Sequence, residues 1–135
     1  MINDRIEEAS VRETLEEIRS LGQKALYCRA DVSDRAAVAA MFSTAKSHFG
    51  QIDVVVSNAA VSIRERVVEA KWENVQTTLE TTQFGVFHVC QMAAQQMIGH
   101  SPSPRSRGKI IVISSALAEI AYASSAAYNM AKAAI

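Results

Sequence analysis

The chain has 135 residues, of which 49% are hydrophobic, and its 14 basic and 14 acidic side chains give a formal net charge of zero. This balance provides no basic surface for nucleic acid and no polybasic membrane anchor, so neither partner is predicted. No apolar run is long enough to span a bilayer and the N-terminus does not resemble a signal peptide, so we expect a cytoplasmic protein. Cys28 and Cys90 are expected to be reduced and buried, and the scattered histidines predict no metal site.

Helices and strands alternate along the first half of the chain. Val11, Leu15 and Ile18 recur at helical spacing and predict a helix over Arg5–Leu21, which Gly22 ends. The wholly apolar run before Ser57 is typical of a strand that is buried on both faces of a parallel sheet. The other predicted segments of this half are a strand over Lys24–Ala30, a helix from the N-cap Ser33 to about His48 before Gly50, and a strand over Asp53–Ser57.

The second half continues the same alternation. It contains helical segments from about Val67 to Met97, a polar loop over Gly99–Gly108 that we interpret as a solvated connection, a strand over Ile110–Ile113 and a helix from Ser125 onward. The complete order, α-β-α-β-α-β-α, predicts a parallel sheet with helices on both faces and ligands at the carboxyl ends of its strands. No boundary is visible, so residues 1–135 are predicted to form one domain.

Tyr128 and Lys132 lie four residues apart on the last predicted helix and therefore share a face. An ammonium beside a phenol favours the phenolate, so the tyrosine pKa is expected to fall toward neutral pH, where the side chain could exchange a proton. Ser115, at the end of the preceding strand, is placed to bind the oxygen that the tyrosine protonates. The spacing alone favours an ordinary amphipathic helix with a solvated lysine and a half-buried tyrosine.

The wider context of this pair resembles the short-chain dehydrogenase/reductase family. A β-branched strand ends in Ser114-Ser115, a loop of small residues precedes Tyr-x-x-x-Lys, and an earlier strand ends in Ser57-Asn-Ala-Ala60. The resemblance implies a partial Rossmann-like, doubly wound α/β domain that transfers hydride between NAD or NADP and a small carbonyl compound or secondary alcohol. It also implies that Tyr128 is the general acid/base, Lys132 its partner and a donor to the nicotinamide ribose, and Ser115 the donor to the substrate oxygen.

The same resemblance assigns a set of residues to the cofactor. Asp31, with Val32 beside it, matches the position that binds the adenine amino group; the alternative is an aspartate that starts a helix. If Met1–Asp4 ends a strand, Asp4 would accept from the adenosine ribose hydroxyls and favour NAD over NADP, with Arg5 softening that preference. Otherwise Asp4 is an exposed N-cap. The residues expected to line the cofactor after the apolar strand are Asn58, Ala59 and Ala60.

Two departures from the family pattern limit these expectations. Thr82 stands where the family has an asparagine that supports a proton relay, which places the relay, though not the tyrosine chemistry, in doubt. The five glycines are far apart in sequence, so there is no glycine-rich phosphate loop, and we expect a fragment of about half a domain. The full protein is expected to be a homo-oligomer. The alternatives are a non-catalytic fragment that at most associates, and a sugar-nucleotide epimerase or dehydratase of the same superfamily.

Overall fold

The computed structural model describes residues 1–100 and 107–135, so most of the predicted solvated loop lies outside the described residues. None of the helices in these two ranges has the length and apolarity needed to cross a membrane. The strands and α-helices are β1 (Ile2–Asp4), α1 (Arg12–Ser20), β2 (Tyr27–Arg29), α2 (Arg35–Phe49), β3 (Val54–Ser57), α3 (Trp72–Leu79), α4 (Gly85–Ile98), β4 (Lys109–Val112) and α5 (Ala126–Ala133). Single 3₁₀ turns cover Glu8–Val11, Val67–Glu69 and Ala116–Ala118, and a π-helical turn at Glu80–Phe84 joins α3 to α4.

The strands pair in parallel, as the alternation of helices and strands predicts. β1 pairs with β2, with Ile2 opposite Tyr27, and β3 pairs with β4, with Val54 opposite Lys109. In the described part of the chain these are two separate two-stranded units rather than one continuous ladder. A cleft of about 670 Å³ is lined by residues of both β1 and β3, so it lies between the two pairs. The α/β class is confirmed, and the division of the sheet determines where the cleft lies.

The main core forms where α2 and α4 pack together. Val38 and Ala93 are fully buried at its centre. The buried residues of α2, Val38, Met41, Phe42 and Ala45, form an apolar stripe, because they recur at the helical spacing that places them on one face. The other buried members of the cluster are Ala30, Val32, Met41, Phe42, Val89 and Met97.

The signals for helix ends are confirmed more closely than those for helix starts. Gly22 and Gly50 follow α1 and α2 with φ of +76° and +83°, a backbone region that glycine adopts without strain. The prediction that Ser33 is the N-cap of α2 is wrong. The N-cap is Asp34, whose side-chain carboxylate accepts from Ala36 N and Ala37 N. Ser33 instead donates its hydroxyl to Asp31 Oδ1 at 2.8 Å. Both residue types cap helices well, and the neighbouring carboxylate engages Ser33.

The first predicted helix begins later than its pattern suggests. Asp4 Oδ1 accepts from Arg5 N at 2.7 Å, and Tyr27 Oη donates to Asp4 O at 3.0 Å and to Ile6 O at 2.5 Å. These bonds hold a bend at residues 5–6 directly after β1, so the helical turns start only at Glu8. The strand predicted over Lys24–Ala30 is likewise limited to Tyr27–Arg29, the three residues that pair with β1.

The prediction that the apolar strand before Ser57 is buried on both faces is wrong. Val54 and Val56 are 54% and 55% exposed, whereas Ser57 is 5% exposed. Successive side chains of a strand point to opposite faces, so one face of β3 is covered and the other is open. Ile111 on β4 is also 44% exposed. An apolar run shows that both faces of a strand are suited to packing against other elements, but not that both faces are covered in the described residues.

Candidate active site

Polar side chains follow the carboxyl ends of three strands, as predicted from the parallel arrangement. Asp31 comes two residues after β2, Asn58 directly after β3 and Ser115 three residues after β4. The cleft between β1 and β3 brings together six of the residues that the resemblance assigned to the cofactor, namely Asp4, Asp31, Val32, Asn58, Ala59 and Ala60. Ser115, Thr82, Tyr128 and Lys132 do not line this cleft and occupy the neighbouring region around α5 and the π-helical turn.

Asp31 is held as a carboxylate in the lining of the cleft. Its Oδ1 accepts from Ser33 N at 2.9 Å and from Ser33 Oγ at 2.8 Å. These two hydrogen bonds stabilise the ionised form and lower the pKa of Asp31, outweighing the opposite effect of its partial burial. The group is therefore an anionic hydrogen-bond acceptor at neutral pH.

Asp4 ends β1, so the strand on which its predicted role depends is present. The residue is exposed and lines the cleft. The neighbouring Asn3 donates through Nδ2 to the carbonyls of Cys28 and Ala30, both at 3.0 Å. These bonds fix the end of β1 beside the end of β2, so Asp4 and Asp31 are presented from adjacent strands.

Lys132 is the buried charge of the region. Its residue exposure is 3%, and Nζ donates to the carbonyl of Ile113 at 2.5 Å. Removal from water disfavours the ammonium, and this burial lowers the pKa of Lys132. Nζ lies 5.8 Å from the centre of the Tyr128 ring, so the two side chains share a face of α5 as their spacing predicts. The bond to Ile113 connects α5 to the segment that carries Ser115.

Ser115 begins the turn that follows β4. Its Oγ accepts from Leu117 N at 3.2 Å, and its carbonyl accepts from Ala118 N at 3.0 Å. The serine hydroxyl is thus oriented by the 3₁₀ turn over Ala116–Ala118. A hydroxyl that accepts one bond retains its own proton for a further acceptor.

Thr82 lies inside the π-helical turn and is completely buried. Its Oγ1 accepts from Val61 N at 2.9 Å and donates to Val61 O at 3.1 Å. Val61 and Thr81 both line the cleft, so this two-way bond ties the cleft wall to the helix junction. π-helical turns are rare and occur often at functional sites.

Two anchoring residues have no clear signal in the sequence. Asn129 donates through Nδ2 to Leu117 O at 2.9 Å and to Ile120 O at 2.8 Å. Glu65 accepts from Asn74 Nδ2 at 2.7 Å, while its backbone N–H donates to the carbonyl of Ser124 at 2.9 Å. Both sets of partners are distant in sequence, and short-range patterns do not report such contacts.

The parallel α/β arrangement, with polar residues grouped at the carboxyl ends of its strands, defines a Rossmann-like domain. The sequence matches the short chain dehydrogenase family over residues 2–135. The chain therefore belongs to that family of oxidoreductases.

Several relatives carry dehydrogenase names. The chain is 34% identical over 108 residues to the 2-dehydro-3-deoxy-D-gluconate 5-dehydrogenase of Dickeya dadantii, a match that covers 78% of this chain and 40% of that protein. It is 33% identical over 101 residues to the L-rhamnose 1-dehydrogenase (NAD(P)(+)) of a Sphingomonas species, covering 73% of this chain and 37% of that protein. A solved gluconate 5-dehydrogenase from Burkholderia cenocepacia, in complex with NADP and tartrate, superposes with a TM-score of 0.84 at 31% identity over 98% of this chain and 50% of that one. The chain thus spans half or less of the length of these relatives.

Proposed function

We propose that this chain carries the proton-transfer centre of an enzyme that moves hydride between a nicotinamide cofactor and a small carbonyl compound or secondary alcohol. In this proposal Tyr128 is the general acid/base. The supporting observation is the buried ammonium of Lys132, which is held at Ile113 O and lies on the same face of α5 as the Tyr128 ring. An ammonium held beside a phenol on one helix face, next to the turn that carries Ser115, is an arrangement suited to general acid/base catalysis by the tyrosine.

Each group of the centre has a distinct role in this proposal. Tyr128 donates its proton to the carbonyl oxygen of the substrate, or accepts the hydroxyl proton in the reverse direction. Ser115 donates a hydrogen bond to the same oxygen, since its Oγ accepts from Leu117 N and keeps its own proton available. Lys132 holds its ammonium beside the Tyr128 ring and would donate to the hydroxyls of the nicotinamide ribose. Thr82 holds the π-helical turn, and the effect of its replacing an asparagine on the proton relay stays a prediction.

The cleft fits part of a dinucleotide cofactor. Asp31 would accept from the adenine amino group, Val32 would contact the adenine ring, and the small residues Asn58, Ala59 and Ala60 would line the path toward Ser115. The bound cofactor supplies or accepts the hydride. The carboxylate of Asp4 at the end of β1 supports a preference for NAD, because it would repel the 2′-phosphate of NADP.

The remaining expectations concern the whole protein. We propose that residues 1–135 form part of one nicotinamide-binding domain that associates with other copies through α4, on which Phe87 is 61% exposed. The two cysteines, which are both free, are compatible with a reducing cytoplasmic compartment. The gluconate and rhamnose dehydrogenases among the relatives suggest hydroxylated small molecules as the first substrates to assay.

The proposal is tested by the substitution Tyr128→Phe in the form of the protein that is present in its native cell. Oxidation of a panel of sugar acids and sugars with NAD or NADP is followed by nicotinamide absorbance, and cofactor affinity is measured separately. We expect turnover to fall about 10²–10⁴-fold, the usual contribution of a general acid/base, with cofactor affinity unchanged. Tyr122→Phe is the matched control, because Tyr122 is 53% exposed in the neighbouring loop. Retained turnover in Tyr128→Phe would contradict the assignment.

A further inference from the structure

Asn129 links the helix that carries Tyr128 to the turn that carries Ser115. Its side-chain amide nitrogen donates to Leu117 O at 2.9 Å and to Ile120 O at 2.8 Å. Both carbonyls lie in the segment between β4 and α5, at or just beyond the short 3₁₀ turn. The last carbonyls of any helical turn have no following N–H of their own, so an external donor is needed to hold them.

This clamp bears directly on the serine hydroxyl. The turn that Asn129 holds through Leu117 O also supplies Leu117 N, which donates to Ser115 Oγ. On the helix side, Asn129 is the neighbour of Tyr128 and its own backbone N–H donates to Ser125 O at 2.8 Å. One side chain therefore spans the two elements whose separation fixes the distance between the serine and tyrosine hydroxyls.

We infer that Asn129 is a positioning residue that sets the placement of Ser115 relative to Tyr128. The inference rests on the roles proposed above for those two side chains. A displacement of about 1 Å between reacting groups can reduce a rate about 10²-fold without any loss of the groups themselves. The effect of losing the clamp should accordingly fall on the carbonyl substrate and not on the cofactor, whose proposed contacts lie in the cleft between β1 and β3.

The sharpest variant is Asn129→Asp. Aspartate has the same shape as asparagine, but its ionised carboxylate has no N–H to donate and would face two carbonyl oxygens. We expect the kcat/KM for the carbonyl substrate to fall about 10–100-fold, while the Kd of NAD changes less than twofold. Amide hydrogen exchange of residues 116–124 should become about tenfold faster. Met130→Ala is the matched control, since Met130 is the next residue of α5 and is 57% exposed.

A pH profile separates positioning from a general structural role. Protonation of the introduced carboxyl restores one donor, so the ratio of kcat/KM in Asn129→Asp to that in wild type should rise as the pH is lowered from 8 to 5. Asn129→Ala restores no donor at any pH, and its ratio should stay flat. Equal kinetics and equal exchange in Asn129→Asp and wild type would overturn the inference. So would a loss of the fold, or of NAD affinity, that parallels the loss of activity.

The hydrogen-exchange measurement does not depend on turnover. If wild-type protein reduces no carbonyl compound, the proposed function fails, while faster exchange at residues 116–124 still supports the clamp. If wild type is active and neither exchange nor kcat/KM changes in Asn129→Asp, the inference fails and the proposed function stands.

Discussion

The buried ammonium of Lys132 should reduce the stability of the protein, and Lys132→Met tests this directly. The side chain is 3% exposed, and its Nζ donates to Ile113 O. Among residues 1–100 and 107–135, no carboxylate forms an ion pair with it. The effective penalty for removing a charge from water is several kcal/mol, and only an opposite charge or several hydrogen bonds would offset it fully.

Two opposing contributions determine the size of the effect. Methionine removes the desolvation penalty of several kcal/mol. It also removes one hydrogen bond from a charged donor, worth about 1.5–3 kcal/mol. We therefore expect Lys132→Met to raise the free energy of unfolding at pH 7 by about 1 kcal/mol, which for a chain of this size corresponds to a Tm increase of about 4 °C. Activity should be lost in the same variant, because the proposed partner of Tyr128 is absent.

The pH dependence gives an independent check of this reasoning. Burial lowers the pKa of Lys132 in the folded state, so between that pKa and the unfolded value of 10.5 the unfolded chain binds more protons. The stability of wild type therefore rises relative to Lys132→Met as the pH increases through this window, and the advantage of the variant should shrink.

Denaturant unfolding at pH 7 and near pH 10 measures both effects. Lys46→Met, which replaces an exposed lysine on α2, should change the stability by less than about 0.5 kcal/mol at either pH. A Lys132→Met protein that is less stable than wild type by more than about 1 kcal/mol at pH 7 would refute the argument, as would an advantage that grows with pH.

Two further substitutions test the junction between α3 and α4. Thr82→Val leaves the N–H and C=O of Val61 without their partner and should lower the free energy of unfolding by about 2–3 kcal/mol, measured with denaturant. Thr78 is equally buried but bonds only to a carbonyl of its own helix, so Thr78→Val should lower it by less than about 1 kcal/mol. Equal losses in the two variants would contradict the role of the Val61 bonds. Gly85→Ala places a Cβ 2.6 Å from Val32 Cγ2 and should lower the free energy of unfolding by about 1–3 kcal/mol, measured by thermal unfolding. The loss should be smaller when Val32 is also replaced by alanine, because the clash is then relieved. Strictly additive losses in the double variant would rule out that contact.

The parts of the fold that the sequence predicts are those with a regular period. The apolar stripe of α2 and the β-branched runs before Ser57 and Ser114 each repeat a local pattern, so α2, β3 and β4 are found within a few residues of their predicted bounds. Tyr128 and Lys132 are likewise found on one helix face, because four residues make about one turn.

The errors arise where a distant contact decides the outcome. Ser33 is a suitable N-cap by residue type, but the carboxylate of Asp31 binds it, and Asp34 caps the helix instead. The exposure of Val54 depends on whether another layer covers that face of β3, which no property of the strand itself reveals. The π-helical turn at Glu80–Phe84 has no sequence signature, and its support comes from Val61, about twenty residues earlier in the chain.

The π-helical turn is also what joins the two regions of the candidate site. Thr81 faces the cleft of the proposed cofactor residues, Thr82 holds the backbone of Val61 in the wall of that cleft, and α5 with Tyr128 packs against the same turn. Thr82 both donates to and accepts from the backbone of a single residue, Val61, so the anchoring of the loop does not require an asparagine. A change at Thr82 should therefore affect both regions of the site, whereas a change at Asn129 should affect only the region around Ser115. This difference allows the two anchors to be distinguished by comparing cofactor affinity with the kcat/KM for the carbonyl substrate.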